Sequence, residues 1–309
     1  MSEFLLSLVI PVHNEESNIL PLWERLEKTL ASYKYEILFI NDGSTDKTAA
    51  VIKELAKKNH KLKLLSFTKN FGHQNALICG YQHALGDCIV TIDADLQDPP
   101  EIIPQMVAKW QNGADIVYAK RKTRQDGFFK RLSAYLFYRF VNILSDTPIP
   151  TDTGDFRLQS KKVNTFLKEL PEHNKFLRGL VAWGGFKEEI VLFDRDKRLS
   201  GKTHYTFSKM LNFALDGIIS FSTKPLRLAT YVGFFVSGVG MLGILYAIWR
   251  RFFLPHEYWV TGWTALFVAV LFLGGAQLFT IGIIGEYIGK MYKETQNRPQ
   301  FLLKEKVNL

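Results

Sequence analysis

The sequence predicts an α/β domain on a doubly wound, mostly parallel sheet, followed by interfacial amphipathic helices and two transmembrane helices. Three observations predict it. Strand-like apolar runs alternate with helical repeats through the N-terminal two-thirds of the chain, with short connections, the pattern of a parallel sheet covered by helices on both faces. Three of those runs end in polar clusters, "PVHNEE", "NDGSTD" and "DADLQD". Two later stretches, Leu228 to Trp249 and Tyr258 to Gly285, carry no charged residue. Each exceeds the ~20 residues that a helix needs to cross ~30 Å of hydrocarbon.

Taken in order, "LLSLVIPV" ends at Pro11 and reads as a central strand. The segment "ESNILPLWERLEKTLASY" repeats Ile19, Leu22, Leu26 and Leu30 at helical spacing. "YEILFIND" is a second strand, and "TDKTAAVIKELAKK" a helix with an N-cap expected at Ser44 or Thr45. "KLKLLSF" is a third strand, "HQNALICGYQHALG" a helix ending near Gly86, and "DCIVTIDAD" a fourth strand. "PEIIPQMVAKWQNG" has prolines in its first turn and Gly113 past its end, the usual asymmetry of a helix. "ADIVYAKR" is a further strand. Phe128 to Leu144 and Tyr205 to Ser222 mix aromatic and apolar residues with sparse charge, and read as interfacial amphipathic helices or as helices packed on the sheet. The expected organisation is a catalytic-type domain over 1–200, juxtamembrane helices over 201–227, a two-helix membrane region over 228–289 and a tail over 290–309.

The chain of 309 residues is 47% hydrophobic and 14% aromatic, which excludes a disordered chain. "FLLSLVIPV" follows Glu3 and is too short for a signal peptide, so the first domain and both termini are expected in the cytoplasm, on the inner face of the cell membrane. Lys209, Lys224, Arg227, Lys290, Lys293, Arg298, Lys304 and Lys306 agree with that orientation, whereas Arg250 and Arg251, in the connection, oppose it. Tyr246, Trp249, Tyr258, Trp259 and Trp263 fit an aromatic belt. Gly233 and Ser237, or Gly285 and Gly289, would allow close helix packing within the chain or in a homo-oligomer. Cys79 and Cys88 lie in apolar contexts and read as reduced core thiols. The net charge of +9 points to an anionic membrane surface and a phosphorylated substrate rather than to nucleic acid, for which no motif is present.

Ligands of doubly wound sheets bind outside the carboxyl ends of the strands, where "TIDADLQDPPE" gathers Asp93, Asp95 and Asp98. Carboxylates two apart at a strand end suit Mg²⁺ or Mn²⁺, hard cations that prefer oxygen, and Gln97 can add an amide oxygen. A solvated acidic turn is the plain alternative for D-x-D alone; the preceding apolar strand and the following Pro-Pro weigh against it. Asp42 sits at a second strand end, placed to accept from a base N–H, with Gly43 permitting the tight turn; alone, it reads as a capped turn.

In combination, "VIPVHNEE", "FINDGSTDKT", "NFGHQNALICG" and "IDADLQDPPE" resemble the nucleotide-sugar half of a GT-A-type glycosyltransferase of family 2. "AKR" at 119–121, "GDFRL" at 154–158, "RLSGKTHY" at 198–205, "FSTKPLR" and "IGEYIGKMY" are similar to the polyprenyl-phosphate branch. The likeness is nearest to bactoprenol (undecaprenyl-phosphate) glucosyltransferases and more distant to dolichyl-phosphate mannose synthases, and it spans essentially the whole chain.

The resemblance implies that Pro11, His13, Glu15 and Asp93 line the nucleotide pocket and that Asp42 reads the base. It implies Asp93, Asp95 and Gln97 at a metal on the diphosphate, and Arg121, Arg198 and Thr203 at the acceptor phosphate. Asp155 matches the residue proposed as base, with positioning as an equal part of its role; an ion pair with Arg157 is its structural alternative. In "RLSGKTHY", Thr203 stands for the family's Ser and His204 for its Lys, which exchanges a fixed charge for a titratable one. The implied reaction is transfer, with inversion, of a sugar from a UDP-sugar to a polyprenyl phosphate. Glucose is the first choice; galactose, N-acetylhexosamine, mannose and aminoarabinose stay open. A processive synthase would carry "Q-x-x-R-W", which "LVAWGG" lacks. A non-catalytic membrane scaffold would have no need of the acids.

Overall fold

The computed structural model describes residues 4–122, 153–172, 175–194, 222–253 and 262–309. Both expected interfacial helices, over 128–144 and 205–222, fall almost wholly outside these. The chain divides into two units, one carrying the sheet and one the two long apolar helices.

The first unit is built on β1 (Leu5–Val12), α1 (Ile19–Leu30), β2 (Lys34–Asn41), α2 (Thr48–Lys58), β3 (Leu62–Phe67), α3 (His73–His83) and β4 (Cys88–Thr91). A 3₁₀ turn (Pro100–Ile102), α4 (Ile103–Gln111), β5 (Ile116–Arg121), β6 (Thr153–Ser160), α5 (Lys161–Glu169), α6 (Leu177–Trp183) and β7 (Glu188–Phe193) follow. The α2 start differs from the cap expected at Ser44 or Thr45. Asp46 accepts from the Thr48 amide at 3.0 Å, because its carboxylate reaches the first turn from two residues upstream.

The strand order is β7-β5-β6-β4-β1-β2-β3-β8. β4, β1, β2 and β3 are parallel neighbours, and the chain reverses its direction of travel across the sheet between β1 and β4. β6 is antiparallel to both β4 and β5, so the sheet is mixed. Leu6, Leu8, Ile10 and Val12 of β1 share one core with Ile19, Leu22, Leu26 and Leu30 of α1, where strand period 2 meets helix period 3.6. On the other face α3 packs against β1 closely enough that a Cβ on Gly80 would stand 2.2 Å from a Val9 methyl. That helix tolerates no side chain there.

Beyond the second apolar helix the chain adds β8 (Leu303–Val307) to the free edge of β3, antiparallel. The sequence reading expected only a tail at this point. The second unit holds α7 (Lys224–Phe253) and α8 (Trp263–Thr295), packed against each other. Both are long and apolar enough to cross a membrane. α7 starts at Lys224, inside the stretch assigned to juxtamembrane helices, and the Tyr287 hydroxyl of α8 donates to the Ser222 carbonyl at 2.6 Å. Phe234, Phe235, Phe252 and Leu278 are 70% exposed or more, a surface that water does not favour and that marks a membrane or partner contact. A Cβ on Gly233, Gly285 or Gly289 would meet nothing within 4 Å among the described residues. These glycines therefore do not serve close approach of α7 to α8.

Candidate active site

The reversal between β1 and β4 places a crevice at the carboxyl ends of the central strands, as open α/β sheets require. A cavity of about 210 Å³ opens there, lined by Pro11, Val12, His13, Glu15, Asp42, His73, Ala76, Asp93, Ala94 and Asp95. Six of these, Pro11, His13, Glu15, Asp42, Asp93 and Asp95, are residues the sequence singled out.

The loop after β1 is knitted to the loop after β2. His13 donates from Nδ1 to the Asp42 carbonyl at 2.8 Å, and Asn14 accepts from the Thr45 amide at 2.8 Å. The Glu15 amide donates to the Thr48 hydroxyl at 2.9 Å. Asn14 adopts a φ of 57°, a left-handed turn that Asn accepts better than most residues. Asp42 is buried, and its carboxylate accepts from the Phe71 amide at 2.6 Å and the Gly72 amide at 3.0 Å. It therefore fixes the loop leading into α3 while facing the cavity. Gly43 makes this possible: its φ is +64° and a Cβ would lie 2.3 Å from the Lys69 carbonyl carbon.

The acids after β4 occupy a tight turn. Leu96 has a φ of 60°, and the Gln97 amide donates to Asp95 Oδ1 at 3.2 Å. Gln97 does not line the cavity; it is buried, and its Oε1 has no hydrogen-bond partner. An orphaned carbonyl oxygen in the turn that carries Asp95 is the kind of group that a hard cation would satisfy. No group of three or more His, Cys, Asp or Glu among the described residues could hold a metal alone, so any ion here needs oxygens from elsewhere. Partial withdrawal from water raises the Asp93 carboxyl, whose side chain is still 40% exposed at the cavity, with Asp155 and Asp95 adding to it, while His73 and Arg178 pull it down.

Asp155, on β6, is buried and held by two cations. Arg178 of α6 donates to both its oxygens, from Nε and Nη2, each at 3.0 Å, and His73 Nε2 stands 3.1 Å from Oδ2. Burial works against the Asp155 charge, but Arg178 and then His73 outweigh it and hold the carboxyl well below the ordinary range. Burial also works against charge on His73, and the Asp155 hydrogen bond with the Asp93 and Asp155 charges still pushes it up to about 9. His73 Nε2 is also 4.0 Å from Asp93 Oδ1, so it lies between Asp93 and Asp155. The alternative pairing of Asp155 with Arg157 does not occur. Arg157 is fully buried and donates instead to the Tyr81 hydroxyl at 3.2 Å.

The sequence reading missed His73 and Arg178 as site residues. His73 sits in the quoted "NFGHQ", directly after a loop glycine, and that position at a helix start was its available signal. Arg178 gave none. Arg121 closes β5 and does not line the cavity. Arg198, Thr203 and His204 lie outside the described residues.

Residues 7–166 match the model of glycosyl transferase family 2, and residues 224–291 match the GtrB C-terminal hairpin. The prophage bactoprenol glucosyl transferase homolog of Escherichia coli (strain K12) is 45% identical over 302 residues, covering 97% of this chain and 98% of that protein. The bactoprenol glucosyl transferase of Shigella phage SfII is 44% identical over 304 residues, covering 97% of each. The uncharacterized glycosyltransferase YkcC of Bacillus subtilis (strain 168) is 44% identical over 302 residues, covering 97% of this chain and 93% of YkcC. Among solved structures, the glucosyl-3-phosphoglycerate synthase of Mycobacterium tuberculosis, in complex with Mn²⁺, uridine diphosphate and phosphoglyceric acid, has a TM-score of 0.53. It is 18% identical, with 70% of this chain and 77% of that chain covered, a likeness of fold. Fold, strand-end acids and near full-length relatives agree: the chain is a glycosyltransferase and belongs to glycosyl transferase family 2.

Proposed function

We propose that this enzyme moves a sugar, glucose by preference, from a UDP-sugar to undecaprenyl phosphate at the cytoplasmic face of the cell membrane, with inversion at the anomeric carbon. The observation that carries the reading is the joining of three strand ends at one cavity, with Asp42, Asp93 and Asp95 on its wall. The bactoprenol glucosyl transferase of Shigella phage SfII, matched over nearly its whole length, supports it.

Pro11, His13, Glu15 and Asp42 would take the nucleoside, with Asp42 reading a base N–H through lone pairs its two amide partners leave free. Asp93, Asp95 and the Gln97 amide oxygen would hold Mg²⁺ or Mn²⁺ against the diphosphate, whose own oxygens complete the coordination. When bound, such an ion neutralises charge on the departing diphosphate. The Mycobacterium tuberculosis enzyme of this fold was solved with Mn²⁺ and uridine diphosphate, which agrees with that choice.

The acceptor, a phosphate monoester, is ionised at neutral pH, so its oxygen attacks without a strong base. Asp155 is a poor proton acceptor, because Arg178 and His73 hold its carboxyl low. Its role is to anchor His73 at the cavity wall, with Arg178 behind it, and to share the His73 charge with Asp93. Arg121, Arg198 and Thr203 would bring the lipid phosphate alongside. α7 and α8 would span the bilayer, keeping 1–200 and the segment after 290 on the cytoplasmic side.

The test is transfer by protein purified in detergent. With Mn²⁺ or Mg²⁺, radiolabel from UDP-glucose should appear in the organic phase only when undecaprenyl phosphate is present. Asp95→Asn should lower the rate by about a hundredfold or more, as loss of transition-state charge stabilisation does, without a change in unfolding temperature. Full activity in that variant rejects the metal assignment. No transfer from any nucleotide sugar rejects the function.

A further inference from the structure

The segment after α8 reaches the nucleotide side of the cavity through a chain of aromatic contacts. Leu303–Val307 pairs with β3, and the Thr68 amide donates to the Leu302 carbonyl at 3.0 Å. The segment is fastened at its far end. Asn308 donates from Nδ2 to the Ala56 and Leu62 carbonyls, each at 2.9 Å, and Glu305 pairs with Lys53 at 2.5 Å. Phe301, just before β8, stacks on Phe67 with centroids 4.9 Å apart and planes 13° from parallel. Phe67 in turn meets Phe71 edge-on at 5.7 Å. Phe71 and Gly72 supply the two amides that grip Asp42. Three links thus run from Phe301 through Phe67 and Phe71 to the acid on the cavity wall.

The loop from 68 to 72 has little regular structure of its own. It is held by the Asp42 carboxylate on one side and the Phe67–Phe301 stack on the other, with Asn75 Nδ2 donating to the Phe71 carbonyl at 2.8 Å. Without the stack, Phe71 loses its packing partner's support, and the amides that orient Asp42 gain freedom.

We propose that residues 299–308 are a positioning element for the donor nucleotide. Phe301 braces Phe67 and Phe71, and thereby sets the Phe71–Gly72 amides that orient Asp42 in the cavity. The segment is part of the donor site rather than an inert tail. This rests on the reading of the cavity as a nucleotide-sugar site, and the two can fail separately.

Phe301→Ala and the milder Phe301→Leu, which keeps apolar bulk without the ring, test it in the full-length protein. Hydrogen exchange needs no ligand. Peptides covering 68–72 should exchange faster in Phe301→Ala than in wild type, while peptides from β1 stay unchanged. The KM for UDP-glucose should rise about two- to tenfold, the weight of one aromatic pair. The KM for undecaprenyl phosphate and kcat at saturating donor should hold, and Phe301→Tyr should restore the donor KM. Unchanged exchange at 68–72 overturns the brace. Faster exchange with an unchanged donor KM overturns its role in donor binding, as does an equal rise in both KM values. If wild-type protein uses no nucleotide sugar, the functional reading falls and the donor role with it, whatever the exchange data show of the brace.

Discussion

Arg178→Met isolates the buried carboxylate on which the charge arrangement turns. The substitution removes both donors from Asp155 and keeps a long apolar stem in place of the arginine's own. Deleting one partner of a buried ion pair costs about 3–5 kcal/mol. Asp155 retains His73 at 3.1 Å and the Arg178 side chain is 29% exposed, so a smaller loss of about 2–3 kcal/mol is expected. That corresponds to roughly 30- to 150-fold in the equilibrium the pair supports. The sign follows from the depressed Asp155 carboxyl. The pair's stabilisation is fully present above the unfolded pKa of about 3.9 and is lost as pH falls through the folded value. The gap between wild type and Arg178→Met should therefore be widest near neutral pH. It should narrow on acidification, once the variant's Asp155 takes up a proton and sheds its unpaired charge. Urea unfolding of the detergent-solubilised protein at a series of pH values measures it. In Asp155→Asn/Arg178→Met, which removes both charges of the pair, stability should recover toward wild type. A variant within about 0.5 kcal/mol of wild type at neutral pH, or a double variant no more stable than Arg178→Met, refutes the reasoning.

Other expected outcomes are more local. Gly43→Ala forces a side chain into a left-handed conformation 2.3 Å from the Lys69 carbonyl carbon. It should destabilise the fold by about 2 kcal/mol or more and weaken uridine nucleotide binding, and a neutral result would mean the 69–72 loop can move away. Gln97→Leu removes a buried, unpartnered oxygen, so unfolding temperature should hold or rise while Mn²⁺-dependent nucleotide affinity falls; unchanged affinity removes Gln97 from the ligand set. Burial pushes the Cys79 thiol up to about 12 and the Cys88 thiol higher still. Since a raised pKa keeps each thiol neutral and unreactive well above pH 8, native protein should resist an aromatic disulfide reagent until it unfolds. Prompt labelling of two thiols in the native state contradicts their placement.

What the sequence made legible follows locality. β1 to β4 are contiguous apolar runs with punctuating turns, and their carboxyl-end acids lie within a few residues of each strand. The cavity wall was therefore readable from period and position. β6 was not, because "TGDFRLQS" carries Asp155, Arg157 and Gln159 along one face and so looks polar, although Arg157 and Gln159 are fully buried. Its insertion between β4 and β5 is also non-local. β8 runs Lys304, Glu305 and Lys306 consecutively between Leu303 and Val307, with Lys304 and Lys306 on the exposed face, as an edge strand with a solvated face does, and a short charged run near a terminus gives no partner. The Arg178 pairing with Asp155 depends on how α6 folds back against β6, which no spacing encodes.

The proposed function requires that acids at the ends of β1, β2 and β4 take a nucleotide diphosphate together with a divalent ion. Calorimetric titration of UDP into the full-length protein, with and without Mn²⁺, tests it most directly. One UDP per chain should bind at least tenfold more tightly with the ion present, in keeping with the charge the ion offsets, with no such gain in Asp93→Asn/Asp95→Asn. Equal affinity without the ion, or a full ion effect in that double variant, would contradict it.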